Sequence, residues 1–294
     1  VRGSQRPELA DPEALRDLAK WGAQRVTTSG VSGIHALGTA GITLGQSEGG
    51  GLPTRNWSSG HFEGAEAITG ETMAETIRVE QDTCYACAVR CKPVVAVEEG
   101  PYQVDPRYGG PEYETLATLG SYCGVSDLEA VAYANQLCNM YGMDTISCGA
   151  TIAWAMDCFE HGLLTEEDTG GLALNFGDAD AMVAMVERIG EREGLGEVLG
   201  EGSVVAAESL GLGEDRVVAV KGRELPAHMP QVKRSMALIY AVHPGGADHT
   251  VFEHDPSYLE NPDRVAQLGL IDPQPADVLN PEKVRFALYE HQMV

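Results

Sequence analysis

Apolar side chains along this chain fall mostly at intervals of three and four, and alternation is scarce, so helices dominate the expected structure. The first is expected over residues 11–25, opening at Asp11-Pro12-Glu13 with Leu15, Leu18 and Trp21 as its apolar set. Thr69-Gly70-Glu71-Thr72 starts another that leads into a run of cysteines. Ser126-Asp127-Leu128-Glu129 reads as a helix start, with Ser126 as cap and Glu129 placed to reach back to it. Val131, Ala134, Cys138 and Tyr141 then repeat at helical spacing. A further helix is expected over Thr151 to His161, ending at Gly162. The stretch Asp178 to Arg192 carries Met182, Met185, Val186 and Ile189 on one stripe.

Strand signals are confined to Pro93–Val97 and Val217–Val220. Between residues 28 and 62, glycines break every regular period, and an irregular loop-rich segment of that length points to ligand contact. The expected class is mainly α with little β structure. No internal repeat or low-complexity tract interrupts it.

A chain of 294 residues can bury a large core and usually divides into two domains. Its 44 acidic against 20 basic residues, a formal charge of −24, argue against nucleic-acid phosphates and against anionic membranes as partners. No apolar run of membrane-spanning length and no signal peptide is present. Only five basic residues are lysines, a balance expected either of a halophilic source or of an ordinary acidic protein. Seven cysteines, an odd number in a long chain, suit a reducing cytoplasm better than a disulfide framework. The chain opens on Val1 and closes on Val294, and both ends read as cuts.

Cys84-Tyr85-Ala86-Cys87-Ala88-Val89-Arg90-Cys91 places three thiols within eight residues. Short cysteine runs of this kind most often hold iron–sulfur clusters, which implies one-electron chemistry. A c-type haem would need a histidine where Ala88 stands. A zinc site would want a second ligand pair, and none follows at suitable range. Three buried structural cysteines beside Arg90 and Lys92 would make poor core chemistry. The run supplies three ligands where four are normal.

Three other segments carry chemistry and also ordinary readings. Gly110-Pro111-Glu112-Tyr113-Glu114-Thr115 sets two carboxylates at the mouth of a helix, either as dipole stabilisation or as a general base or acid. Asn139-Met140-Tyr141-Gly142-Met143-Asp144 ends one helix at Gly142 and caps the next with Asp144. His243-Pro244-Gly245-Gly246-Ala247-Asp248-His249 is a glycine-rich turn with two imidazoles, either a surface loop or a proton shuttle or metal ligand.

In this order, these segments resemble the aldehyde:ferredoxin oxidoreductase family of tungsten-pterin enzymes. The likeness rests on Asp82 through Cys91, Gly110 through Thr115, Asn139 through Ser147, Val220-Lys221-Gly222-Arg223-Glu224-Leu225-Pro226 and the Gly245–His249 turn, and it runs through essentially all of the chain. It implies a subunit with a β-rich first domain and two helical ones around a tungsten (or molybdenum) ion held by two molybdopterins, with a 4Fe–4S cluster close by. It implies oxidation of a small aldehyde to a carboxylic acid, with electrons passed to ferredoxin or a related acceptor. On that reading residues 1–217 are the middle domain, 218–294 begin the third, and the β-rich domain is absent from this chain.

The resemblance also implies roles. Cys84, Cys87 and Cys91 match three cluster ligands, the fourth being expected beyond Val294 in a D-x-x-G-L-C segment. Cys123, Cys138, Cys148 and Cys158 fall in no such segment and are expected as small buried hydrophobes. Asn139, Gly142 and Asp144 match the pterin-binding D-x-x-G-L-D, with Asn139 in place of an acid and Met143 in place of leucine. Glu112 or Glu114 matches the carboxylate near tungsten, Glu112 being preferred, and His249 matches the active-site histidine. The family commonly forms homodimers. The fragment alone is expected to be inactive. The competing expectations are a non-catalytic iron–sulfur electron-transfer or scaffold subunit and a plain zinc-binding helical domain.

Overall fold

The computed structural model describes residues 3, 8–251, 254–255, 259, 266 and 269–291. Helices form most of it, and strand is confined to two two-stranded antiparallel ribbons among the described residues. No helix among those residues is long and apolar enough to cross a membrane.

Helix α1 (Pro12–Arg25) starts where expected, its first amides taken by the Asp11 carboxylate. It buries none of its residues, so Leu15, Leu18 and Trp21 do not face the core that their spacing suggests. The glycine-rich stretch that follows is not the irregular loop expected of it. It holds α2 (Ser32–Leu37) and α3 (Thr43–Glu48), joined by a 3-10 turn over Thr39–Ile42. These helices are short enough that their glycines conceal the period.

Helix α4 (Gly70–Thr76), capped by Thr69, does not run into the cysteines. Strand β1 (Arg78–Asp82) comes between, pairing antiparallel with β2 (Lys92–Val95) from Arg78↔Val95 to Asp82↔Lys92. The cysteine run is therefore the tip of a β-hairpin. After it come the short α5 (Tyr113–Thr115) and a wide turn of π type over Leu116–Gly120, every residue of which is buried.

Helix α6 (Leu128–Tyr141) is capped by Asp127 rather than Ser126, the Asp127 carboxylate accepting from Ala130 N–H at 3.0 Å. Helix α7 (Thr145–Glu160) begins six residues before the expected Thr151, because Asp144 caps it through Ser147 N–H at 2.8 Å. Helix α8 (Ala179–Glu191) is capped by Asp178 and buries Met182, Met185, Val186 and Ile189, the stripe expected from the sequence. Then come α9 (Leu195–Leu199), α10 (Ser203–Leu210), and a minimal hairpin of β3 (Ala219–Val220) with β4 (Arg223–Glu224). Helices α11 (Arg234–Val242) and α12 (Pro281–His291) complete the described part.

Helix α7 is the axis of the core, with the run from Cys148 to Met156 buried without interruption. Its apolar character all round is that of a helix covered on every side. Cys123, Cys138, Cys148 and Cys158 are buried thiols, as expected. Among the described residues, buried apolar side chains form two clusters that meet at Leu225 and Ala227, the second built on Met236, Ile239, Tyr240, Leu270 and Phe286.

Candidate functional site

Glu112, at the extended cap position of α5, and Glu114, in its first turn, reach different neighbours. Glu112 Oε2 accepts from Thr39 Oγ1 at 2.5 Å, and the same hydroxyl oxygen accepts from Tyr113 N–H at 2.9 Å. Burial pushes the Glu112 carboxyl up, with Thr39 and Lys92 pulling in the other direction.

Glu114 points toward the Ala227–His228 segment. Its Oε2 accepts from Ala227 N–H at 2.7 Å. Its Oε1 lies 3.0 Å from His228 Nε2 and 3.5 Å from His249 Nε2. Neither contact is aligned as a hydrogen bond, so Oε1 remains a buried acceptor without a well-directed donor. Burial raises the Glu114 pKa, and Asp144 adds to that. His249, the Ala227 amide and Lys233 oppose it.

His228 was not among the expected site residues. It is 3 % exposed and stacks obliquely on Tyr113, ring centroids 5.4 Å apart. Its segment is pinned to α5 and the following turn by Tyr113 Oη donating to Ala227 C=O at 2.6 Å and Tyr122 Oη to Leu225 C=O at 3.0 Å. Burial first, then Lys233 and His249, hold the imidazole well below its ordinary pKa. Lys233 Nζ sits 3.0 Å from His228 Nδ1 and 3.4 Å from His254 Nδ1. Burial lowers Lys233 to about 8 despite Glu114 and Asp255. The only sequence signal for His228 is its place two residues beyond the Val220–Pro226 segment.

His249 and Asp144 wall one cavity of about 220 Å³, together with Ser147, Pro226 and Asp248. Asp144 and Ser147 also wall a second cavity of about 330 Å³, where Gly142 and Arg192 take part. Gly142 ends α6 in the left-handed region, φ 72°, a conformation glycine adopts without cost. Asn139 lines neither cavity: its side-chain amide donates to Tyr108 C=O at 3.0 Å.

The cysteine hairpin tip forms a separate feature. Cys84 and Cys87 are exposed and Cys91 is half-buried. Ala86 and Arg90 hold positive φ, 58° and 54°, which curls the loop. Thr83 Oγ1 donates to Cys87 C=O at 2.6 Å and Arg90 to Gln81 C=O at 2.7 Å, while His35 Nδ1 lies 2.6 Å from Val89 C=O. A Cβ on Gly38 would stand 2.6 Å from Cys91 C=O, so this loop sits directly on the end of α2. Burial raises the Cys91 thiol, followed by the negative charge of Glu112.

Among the described residues, the side-chain sets with ligand atoms within 4.8 Å of one another are Glu114–His228–His249 and Asp157–Glu160–His161, and the cysteine run is not among them. The structure thus brings Glu114, His249 and Asp144 together, turns Glu112 toward the cysteine loop, and leaves Asn139 aside.

The framework is that of a known helical architecture. It superposes on the active site complex BamBC of benzoyl coenzyme A reductase, in complex with 1,5-dienoyl-CoA, at a TM-score of 0.56 and 20% identity, over 71% of this chain and 31% of that one. At that identity the likeness speaks for the fold alone. Residues 17–293 match the family model described as aldehyde ferredoxin oxidoreductase, domains 2 and 3, and the chain belongs to this family. It is similar to the tungsten-containing aldehyde ferredoxin oxidoreductases of Pyrococcus abyssi and Pyrococcus horikoshii, 32% identical to each over 98% of this chain and 46% of theirs. An aliphatic sulfonate oxidoreductase, WOR-like subunit, of Pyrococcus furiosus is 28% identical over 83% of this chain and 40% of its own length. The chain thus spans about half the length of the curated relatives it matches.

Proposed function

We propose that this chain forms the helical part of an oxidoreductase that converts an aldehyde to a carboxylic acid at a tungsten (or molybdenum) bis-pterin centre. Electrons leave through a 4Fe–4S cluster to ferredoxin or a related acceptor. Residues 1–217 act as its middle domain and 218–294 as the start of the next. The observation that carries the reading is Glu114 Oε1, a buried carboxylate oxygen without an aligned donor, beside His249 on the wall of the Asp144 cavity.

The donor set suits these groups. Cys84, Cys87 and Cys91 offer soft ligands on one curled loop. Asp144, with Gly142 and Ser147, offers polar contacts for a pterin along the two cavities, whereas Asn139, bonded to Tyr108 C=O, lines neither. When bound, the metal–pterin centre supplies Lewis acidity and a sink for two electrons.

The chain's own residues handle the protons. Glu114 Oε1 takes a proton from water, a task favoured by its raised pKa. His249 Nε2 donates toward the oxygen on which charge develops. The buried setting, with Tyr113 and Tyr122 alongside, keeps bulk water from competing. Metal analysis and aldehyde-dependent viologen reduction of the anaerobically purified full-length protein test the reading. Tungsten or molybdenum with aldehyde-dependent turnover is expected, and a protein lacking both metals refutes it.

A further inference from the structure

We propose that His249, Glu114, His228 and Lys233 form a proton relay joining the Asp144–His249 cavity to a separate surface cavity on the far side of Lys233. The inference rests on the aldehyde-oxidising reading, since such a reaction releases protons at Glu114 that must leave.

The four groups stand in sequence at contact distances. His249 Nε2 lies 3.5 Å from Glu114 Oε1, that oxygen 3.0 Å from His228 Nε2, and His228 Nδ1 3.0 Å from Lys233 Nζ. Beyond Lys233 opens a cavity of about 430 Å³ lined by Ile42, Gln46, Gly51 and Val232. Lys233, only 4 % exposed, itself lines that cavity while its Nζ meets the imidazoles, so one residue borders both. Among the described residues, no carboxylate stands within salt-bridge distance of Nζ. Its close polar neighbours are the two imidazoles of His228 and His254, unusual company for a lysine held only for structure.

Proton transfer balances without any added reactant. Protonated Glu114 gives its proton to His228 Nε2 as the Nδ1 proton of the same ring passes to neutral Lys233 Nζ. One O–H and one N–H bond break, and two N–H bonds form. The Lys233 ammonium then releases its proton to water in the surface cavity. The groups facing Lys233 are His228, His254, Glu114 and Asp255. Those facing Glu114 are His228, His249, Lys233 and Asp144. The phenols Tyr113, Tyr122 and Tyr240 nearby are pushed well above their ordinary range by burial and stay protonated. Lys233 acts through Glu114 and is a positioning residue rather than a catalytic one.

The test uses the holoenzyme that contains this chain. In the wild type, turnover should rise with pH through a limb near 8, as Lys233 becomes able to accept a proton. Lys233→Arg keeps the charge and cannot give it up, so it should slow turnover by about 100-fold and abolish that limb. Lys233→Ala should regain rate with small primary amines that enter the cavity, in proportion to their basicity. A merely structural lysine predicts that Lys233→Arg restores rate and limb together, and that result overturns the relay. A second readout needs no variant and no turnover: acetic anhydride labelling of Lys233 in the wild-type protein, followed by mass spectrometry across pH. Half-maximal reactivity near pH 8 is expected, and a value at the ordinary lysine pKa of about 10.4 overturns the proposal. A wild type that turns over while both variants match it defeats the relay alone. A wild type with no aldehyde-dependent turnover defeats the function on which it rests.

Discussion

Glu112 and Glu114 leave the same short helix on opposite sides, one meeting Thr39 at 2.5 Å and the other His228 at 3.0 Å. The two acids therefore belong to different neighbourhoods. Glu114 is joined to the imidazoles and the Asp144 cavity, and Glu112 to the cysteine hairpin.

Substituting them separately should split their effects. Glu114→Gln is expected to lower turnover by about 100-fold or more while metal content stays unchanged, as for loss of a general base. Glu112→Gln should leave turnover within a few-fold. The check is steady-state kinetics with metal analysis on both variants, and equal losses would contradict the division of labour.

The neutral imidazoles make stability fall with acid. Burial holds His254 at about 2 and His228 well below its ordinary value. Below pH about 6.5 the unfolded chain takes up protons that these folded rings refuse, so stability is lost as pH falls. Each ring contributes a slope of about 1.4 kcal/mol per pH unit in that window. The raised carboxyl of Glu114 opposes this only once pH nears its own folded value. Urea midpoints measured from pH 7 to pH 5 should shift steadily, and His254→Asn should flatten the slope.

Much of this site was unreadable in sequence for stated reasons. Caps at Asp11, Asp144 and Asp178 are local codes and could be read, whereas Ser126 and Asp127 compete for one start and only packing chooses between them. Strand β1 contains a single apolar residue, Val79, and exists because β2 returns alongside it. The cysteine spacing was plain, but its place at a hairpin tip depends on that pairing. His228 and Lys233 gain meaning only from Glu114, far away in the chain, so no window of sequence could reveal them.

Lys283 and Asp255 form a fully buried ion pair that also engages Ser235 and the carbonyls of Gln274 and Pro275. Removing one partner strands a buried charge, which costs about 3–5 kcal/mol. Lys283→Met and Asp255→Asn should each lower the thermal midpoint strongly. The double variant should be milder than the sum of the two, a coupling that a double-mutant cycle measures directly.

The thiols should separate by reactivity in the metal-free protein. Cys84 and Cys87 are exposed, whereas burial pushes Cys158 up to about 12 and raises Cys123 further. Brief iodoacetamide treatment is expected to label Cys84 and Cys87 first and spare the buried four. Gly38→Ala, strained at φ 69° and crowding Cys91 C=O, should loosen the loop and speed labelling of Cys91.

The hydrogen bonds from Tyr113, Glu114 and Tyr122 to Leu225 and Ala227 have a mechanical meaning as well as a chemical one. Three bonds hold the Leu225–Ala227 segment, where the two apolar clusters meet, and the reactive carboxylate is one of the rivets. Melting of either cluster must tear those bonds, so the two should unfold as one cooperative unit. A molecule seated against Glu114 would then raise the melting point of the whole body rather than of its own surroundings.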